Sequence, residues 1–136
     1  MLKDNHNVID VLRAISPVSV ADNTAQVSQI IDLQGYTSLE FVILAGSLAD
    51  ADATFTSLVE HGDAANMSDA ATPAAADLLG TAAEASFVFS DDNKVFKIGY
   101  KGAKRYVRLT ITPANNASAA LLAAVAVVGK AKVGTL

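Results

Sequence analysis

The sequence predicts an all-β protein: a single-domain antiparallel β-sandwich or barrel of about seven strands, with an extended N-terminal arm and at most one short helix. Apolar and polar residues alternate over several short stretches with the period of two that is typical of half-buried strands. Turn-forming residues separate these stretches at short intervals. The length of 136 residues favours one domain.

The N-terminal segment, residues 1–25, is predicted to be an arm attached to a β-sandwich or barrel domain of residues 26–136. The spacing of its apolar residues fits either a short helix or an extended arm at residues 8–15. Ser16-Pro17 is expected to end this element, because the residue before proline disfavours helical geometry. This apolar patch suits docking against a partner, but it equally fits an edge strand packed on its own domain. The apolar residues are Val8, Ile9, Val11, Leu12 and Ile15.

Three strands are predicted in the first half of the domain, at residues 27–33, 38–48 and 55–61. Residues 39–45 are almost continuously apolar, which is typical of a central strand. The third strand alternates, and Phe55, Ser57 and Val59 fall on one face.

The second half of the domain opens with a predicted helical turn at residues 73–79. Thr72 could cap it, Pro73 suits its first position and Gly80 could end it. Residues 85–89 return to a strand. Residues 119–128, rich in Ala and Val, are predicted to form a final buried strand, with a helix as the alternative.

Residues 95–113 are predicted to form a hairpin of two strands. From residue 105 onward, Arg105, Val107, Leu109 and Ile111 fall on one face, and Pro113 is expected to end the run. Gly99 and Gly102 would allow the tight reversal between the two strands.

The charge along the chain is strongly divided. Residues 1–92 carry all fourteen acidic residues and two of the ten basic ones, a balance of −12, whereas residues 93–136 carry eight basic residues and no acidic one, a balance of +8. Two interpretations stay open: docking by charge complementarity against another molecule, or mutual neutralisation of neighbouring strands within one fold. Arg105, on the apolar side of its strand, favours pairing with a carboxylate. The basic residues predicted to contact a partner are Lys101, Lys104, Arg105 and Arg108.

No catalytic or cofactor-binding site is expected. The chain has no Cys, which fits synthesis in a reducing cytoplasm, and Glu60, His61 and Asp63 are a weak metal-ligand set. No nucleophile elbow or phosphate-binding loop occurs. The net charge of −4 argues against nucleic acid, and residues 119–128 are too short for a membrane helix. We therefore predict a soluble protein that is not an enzyme and carries no signal peptide, cofactor or metal.

The composition favours an assembly component. Hydrophobic residues make up 51% of the chain, but aromatic residues only 6%, and much of the apolar content is Ala and Val. Small side chains bury little surface each, so we expect stability to depend partly on an interface.

Four segments carry a resemblance to a known family. They are residues 30–63, 77–81, 97–113 and 123–133, with IDLQGY and GYKGAKRYVRLT as their most characteristic parts. These segments resemble the small head decoration, or cement, proteins of tailed bacteriophages. The resemblance implies a compact β domain that needs no catalytic site and that grips a capsid by a terminal arm or an exposed edge.

The function implied by this resemblance is to bind the outer surface of a phage head and to stabilise the shell across capsomer joints. The implied partners are the major capsid protein and further copies of the chain itself, as a homo-oligomer for which the resemblance suggests a trimer. The implied location is the virion, after synthesis in the host bacterial cytoplasm. Alternatives are a head–tail joining or tail protein, or a carbohydrate-binding β-sandwich module. The lack of Trp argues against the last of these.

Overall fold

A computed structural model describes residues 3–130, which form two antiparallel β-sheets packed face to face. The prediction of an all-β sandwich is confirmed. The described residues form ten strands, four of which are only two residues long.

The first sheet has five strands in the order β1-β10-β4-β8-β6. Every neighbouring pair in it is antiparallel. Its strands are β1 (Ile9–Val20), β4 (Tyr36–Leu48), β6 (Leu78–Leu79), β8 (Val95–Tyr100) and β10 (Ala120–Lys130).

The second sheet has β9 beside β5 at its centre, in the order β2-β9-β5-β7, and β3 pairs with β9 beyond the end of β2. Its strands are β2 (Gln26–Val27), β3 (Ile31–Asp32), β5 (Thr54–Gly62), β7 (Phe87–Val88) and β9 (Tyr106–Ala114). Phe55, Ser57 and Val59 are all buried, as the alternation in β5 predicts.

The segment predicted as an arm lies at the edge of the first sheet for residues 9–20. Here β1 pairs with β10 and buries Ala14, Ile15 and Val20, which corresponds to the edge-strand alternative. Proline does not end the strand, because Pro17 lies at an irregularity of an edge strand, where its missing N–H costs no ladder hydrogen bond.

The prediction of a hairpin at residues 95–113 is wrong. Both strands exist, but β8 pairs with β4 and β6 in the first sheet, whereas β9 pairs with β5 in the second. The intervening residues 101–105 therefore cross from one sheet to the other. Alternation in sequence defines each strand, but it does not say which strand lies next to it.

Of two local predictions, one is confirmed and the other is confirmed in part. Residues 120–130 form a strand and not a helix, paired on both sides by β1 and β4. The helical turn predicted at residues 73–79 is confirmed only in part: Ala75–Asp77 form one turn of 3-10 helix without a side-chain cap, and Leu78–Leu79 form β6. A second such turn, Phe89–Asp91, follows β7.

The core lies between the facing sides of the two sheets. Phe41, Ile43 and Ile98 come from the first sheet, and Val107 and Leu109 from the second, all fully buried. A stack of three rings joins the sheets at one place, with centroids 4.9 Å apart between Phe55 and Phe87 and 5.2 Å apart between Phe87 and Phe96.

Replacing Leu109 by alanine is expected to lower the free energy of unfolding by about 2–5 kcal/mol, because the side chain is fully buried and its loss leaves a cavity. Chemical denaturation followed by circular dichroism measures the change. Thr112→Ala, an exposed position on the same strand, serves as the control. Equal stability of the two variants would contradict the placement of the core.

Candidate interaction surfaces

The basic segment, residues 94–108, is largely neutralised within the fold. Four of its basic residues form ion pairs with acidic residues from earlier in the chain or from neighbouring strands: Lys94–Asp91 at 3.2 Å, Lys104–Asp63 at 3.0 Å, Arg105–Asp32 at 2.8 Å and Arg108–Glu60 at 3.1 Å. This agrees with the interpretation in which charged strands neutralise each other. Within residues 3–130, Lys101 has no carboxylate within 4 Å.

Arg105 forms the best-defined of these pairs. Its Nε and Nη2 donate to the two carboxylate oxygens of Asp32 at 2.8 and 2.9 Å, and Nη2 also donates to Gln34 at 2.6 Å. The guanidinium lies 5.0 Å from the centroid of the Tyr106 ring. Hydrogen bonds from Arg105 and from the Gln34 backbone N–H lower the pKa of Asp32. Pairing with a carboxylate, predicted for Arg105, is confirmed.

Tyr100 anchors the crossing between the sheets. Its ring is buried, and its hydroxyl accepts a hydrogen bond from the Lys104 backbone N–H at 3.0 Å and lies 2.8 Å from Nδ1 of His61. Burial raises the pKa of this phenol. A Cβ added at Gly102 would collide with the same hydroxyl and with the Tyr100 ring, so the crossing needs glycine there.

One end of the sandwich brings the two predicted contact regions together. Tyr36 lines a cleft of about 340 Å³ with Lys101 and Arg105, and its hydroxyl donates to Asp10 of β1 at 3.3 Å. The start of β1 is therefore adjacent to the cleft. We call this region the cleft end.

The five apolar residues predicted as N-terminal contacts divide by exposure. Val8 and Val11 are 45% and 58% exposed, Ile9 and Leu12 are half-buried, and Ile15 lies in the core. The fold thus leaves Val8, Ile9 and Val11 accessible, packs Leu12 against the core and removes Ile15 from any external contact.

A large apolar surface, not predicted from the sequence, covers the outer side of the first sheet. Residues facing outward from its central strands lie side by side across the sheet, as the register shows. We call this surface the outer face; its residues are Val11, Val42, Leu44, Gly46, Val95, Leu121, Ala123, Val125 and Val127. A shallow groove of about 360 Å³ lies at one end of it, beside Pro17 and Val18.

The second sheet presents a more polar exterior, although Val27, Leu58 and Val88 are exposed on it. Thr56, Thr110 and Thr112 alternate with buried residues on β5 and β9, and the Glu60–Arg108 ion pair lies on the same side. A half-solvated antiparallel sheet usually looks like this. The exterior of the first sheet is therefore the more apolar of the two.

Three charged residues lie on or beside the outer face without an ion-pair partner within residues 3–130: Arg13, Glu40 and Lys97, which lies opposite Val42. Arg13 donates to Ser16 Oγ at 2.9 Å. The Glu40 side chain lies over Gly99 of the next strand. Partial burial raises the pKa of Glu40, against the attraction of Lys97.

Residues 3–130 contain neither a clustered set of metal-ligand residues nor a helix that could cross a bilayer. No group of three or more His, Cys, Asp or Glu side chains within residues 3–130 is arranged to hold a metal ion. None of the helices in that range is long and apolar enough to span a bilayer.

Comparisons with known proteins show that this chain shares its fold with a solved structure. No family model matches the chain, and neither does any curated protein. Among solved structures, PBSX exported protein XepA aligns with a TM-score of 0.59 at 16% identity, over 100% of this chain and 42% of XepA. The chain therefore shares the fold of XepA over a region that is less than half of that protein's length.

Two weaker likenesses add nothing to this result. The capsid of Ralstonia phage GP4 aligns with a TM-score of 0.49 at 9% identity, over 98% of this chain and 90% of that one. The CBM22-1–GH10 modules of Clostridium thermocellum xylanase 10B, complexed with xylohexaose, align with a TM-score of 0.47 at 12% identity, over 94% of this chain and 26% of that one.

Asp32→Asn is expected to lower the melting temperature at pH 7, because the lowered pKa of Asp32 means that its ionised form stabilises the folded state. That contribution is present above the unfolded pKa, about pH 4, and disappears as the pH falls through the lower folded pKa. The difference between variant and parent should therefore shrink below about pH 4. Thermal melts across this range measure it, with exposed Asp52→Asn as the control. A difference that persists unchanged in acid would contradict the pairing.

Tyr100→Phe is expected to lower the free energy of unfolding by about 1–3 kcal/mol, because the Lys104 N–H and His61 lose a partner in a partly buried place. Tyr36→Phe, whose hydroxyl makes one longer bond at 3.3 Å, should cost less. Denaturant titrations compare the two. A smaller loss for Tyr100→Phe than for Tyr36→Phe would argue against the anchoring role.

Proposed function

We propose that this chain is a structural protein of a tailed-phage virion, which decorates the head and stabilises the shell across capsomer joints. The observation that carries the proposal is the apolar outer face: a β-sandwich of this size leaves one sheet exterior uncovered, as expected of a building block. The resemblance of the sequence to head decoration proteins supports the phage setting, and the fold shared with PBSX exported protein XepA is compatible with it.

The cleft end is the proposed contact with the major capsid protein. It combines the exposed apolar residue Val8 with Lys101, which lies beside the cleft and has no ion-pair partner within residues 3–130; Val11, also predicted as a contact, lies on the outer face opposite Val127. The remaining basic residues that we predicted as contacts, Lys104, Arg105 and Arg108, already neutralise acidic residues of their own chain. Apolar burial should therefore contribute more than charge, and binding should depend only weakly on salt.

The proposal requires many copies on one particle. A repeating shell offers many equivalent sites, so linked copies dock with high effective concentration even when each contact is weak. Self-association and a separate capsid-binding end are therefore compatible roles for different surfaces of one molecule. No catalytic group or cofactor is needed for this role.

Co-sedimentation of the purified protein with expanded, undecorated phage heads tests the proposal. We expect stoichiometric binding over the whole shell that persists at high salt, and weaker binding after Val8→Asp or Lys101→Glu. Thr112→Glu, on the polar exterior of the second sheet, should bind like the parent. An absence of binding, or a few copies per particle, would overturn decoration and favour a head–tail joining or tail role.

A further inference from the structure

We propose that the outer face binds the same face of a second copy of this chain, about a two-fold axis that runs along β10. The inference goes beyond the proposed function, since it concerns the free protein and requires no capsid. It rests on the shape, area and charge of the face.

The middle of the outer face, along β10 and the adjoining part of β4, is apolar, and Lys97 of β8 lies at its margin opposite Val42. Along β10 the outward residues are Leu121, Ala123, Val125 and Val127, and the neighbouring positions of β4 include Val42 and Leu44. Four strands at about 4.8 Å spacing, over about eight residues each, give a surface of roughly 500 Å² in projection. Side-chain relief adds to this area, which brings it near the roughly 800 Å² per partner of a stable interface.

The charged residues beside the outer face indicate that its binding partner is a second copy of this chain. Arg13 lies on β1 and Glu40 on β4, on opposite sides of β10, and neither has an ion-pair partner within residues 3–130. A two-fold axis along β10 exchanges these two sides. Arg13 of each copy then lies over the strand that carries Glu40 of the other.

The register brings these two charges within reach. Arg13 pairs with Val125 of β10, and Glu40 pairs with Val127 of the same strand. The two charged residues are therefore offset by two residues along the strand direction. This offset is about 7 Å, a distance that an extended arginine side chain spans. Because a two-fold interface repeats every contact, the pair forms twice. The same face thus supplies both an apolar centre and a self-complementary charged rim.

Light scattering coupled to size-exclusion chromatography tests the inference. The parent protein should have the mass of a dimer. Val125→Lys, which places an unpaired charge at the centre twice, should raise the dissociation constant about a hundredfold or more. Thr110→Lys, at the matching outward position of the central strand of the second sheet, should leave the dimer intact.

The charged pair provides a second test that does not perturb the apolar centre. Arg13→Glu and Glu40→Arg should each weaken the dimer by about tenfold, and the double variant should recover most of that loss. Circular dichroism confirms folding of each variant. A monomeric or trimeric parent, an intact dimer in Val125→Lys, or a double variant as weak as the single ones would overturn the inference.

Head binding is scored separately, so the two proposals can fail independently. A monomer that still coats heads would overturn the two-fold pair and leave decoration standing. A dimer that does not bind phage heads would overturn decoration and leave the two-fold pair standing.

Discussion

The fold depends on one strand, β10, which is paired along its length by β1 on one side and by β4 on the other. Its inward residues, among them Leu122, Ala124, Ala126 and Val128, are buried against the second sheet. Its outward residues are just as apolar, yet no other element of the described chain packs over them, and they face solvent. A strand that is apolar on both faces is normally covered on both faces, as in parallel sheets. In this molecule, that condition is met on one side only.

The division of the exterior into distinct surfaces follows from the same architecture. The second sheet has a threonine-rich exterior and the first an apolar one, while the cleft end collects the start of β1 and the crossing at residues 101–105. Ion pairs such as Arg105–Asp32 neutralise most of the basic segment, so these charges stabilise the fold and are not available to bind a partner. An assembly protein needs surfaces of this kind in fixed relative positions, and a sandwich of two rigid sheets provides them.

The sequence predicts most strands but only part of their arrangement. Alternation defines β5 and β9, and continuous apolar character identifies β4 as central, because both signals are local. The partner of β1 is more than a hundred residues away, and the assignment of β8 and β9 to different sheets depends on pairing that no local pattern encodes.

The outer face does not follow from the strand predictions, although the sequence contains one signal for it: in residues 120–128 the apolar residues do not alternate with polar ones. Of the predicted contacts, Ile15 turned out to be core because irregularities in β1 turn both Ala14 and Ile15 inward.

Cross-linking measures most directly whether the outer face is an interface. The chain has no cysteine, so Ala123→Cys introduces a single thiol on β10, at the centre of the face and on the proposed axis. A short bis-maleimide reagent should convert this variant into a covalent dimer at low protein concentration. Thr112→Cys, on the exterior of the second sheet, should remain a monomer under denaturing electrophoresis. Equal cross-linking of both variants, or none at Ala123→Cys, would contradict the account.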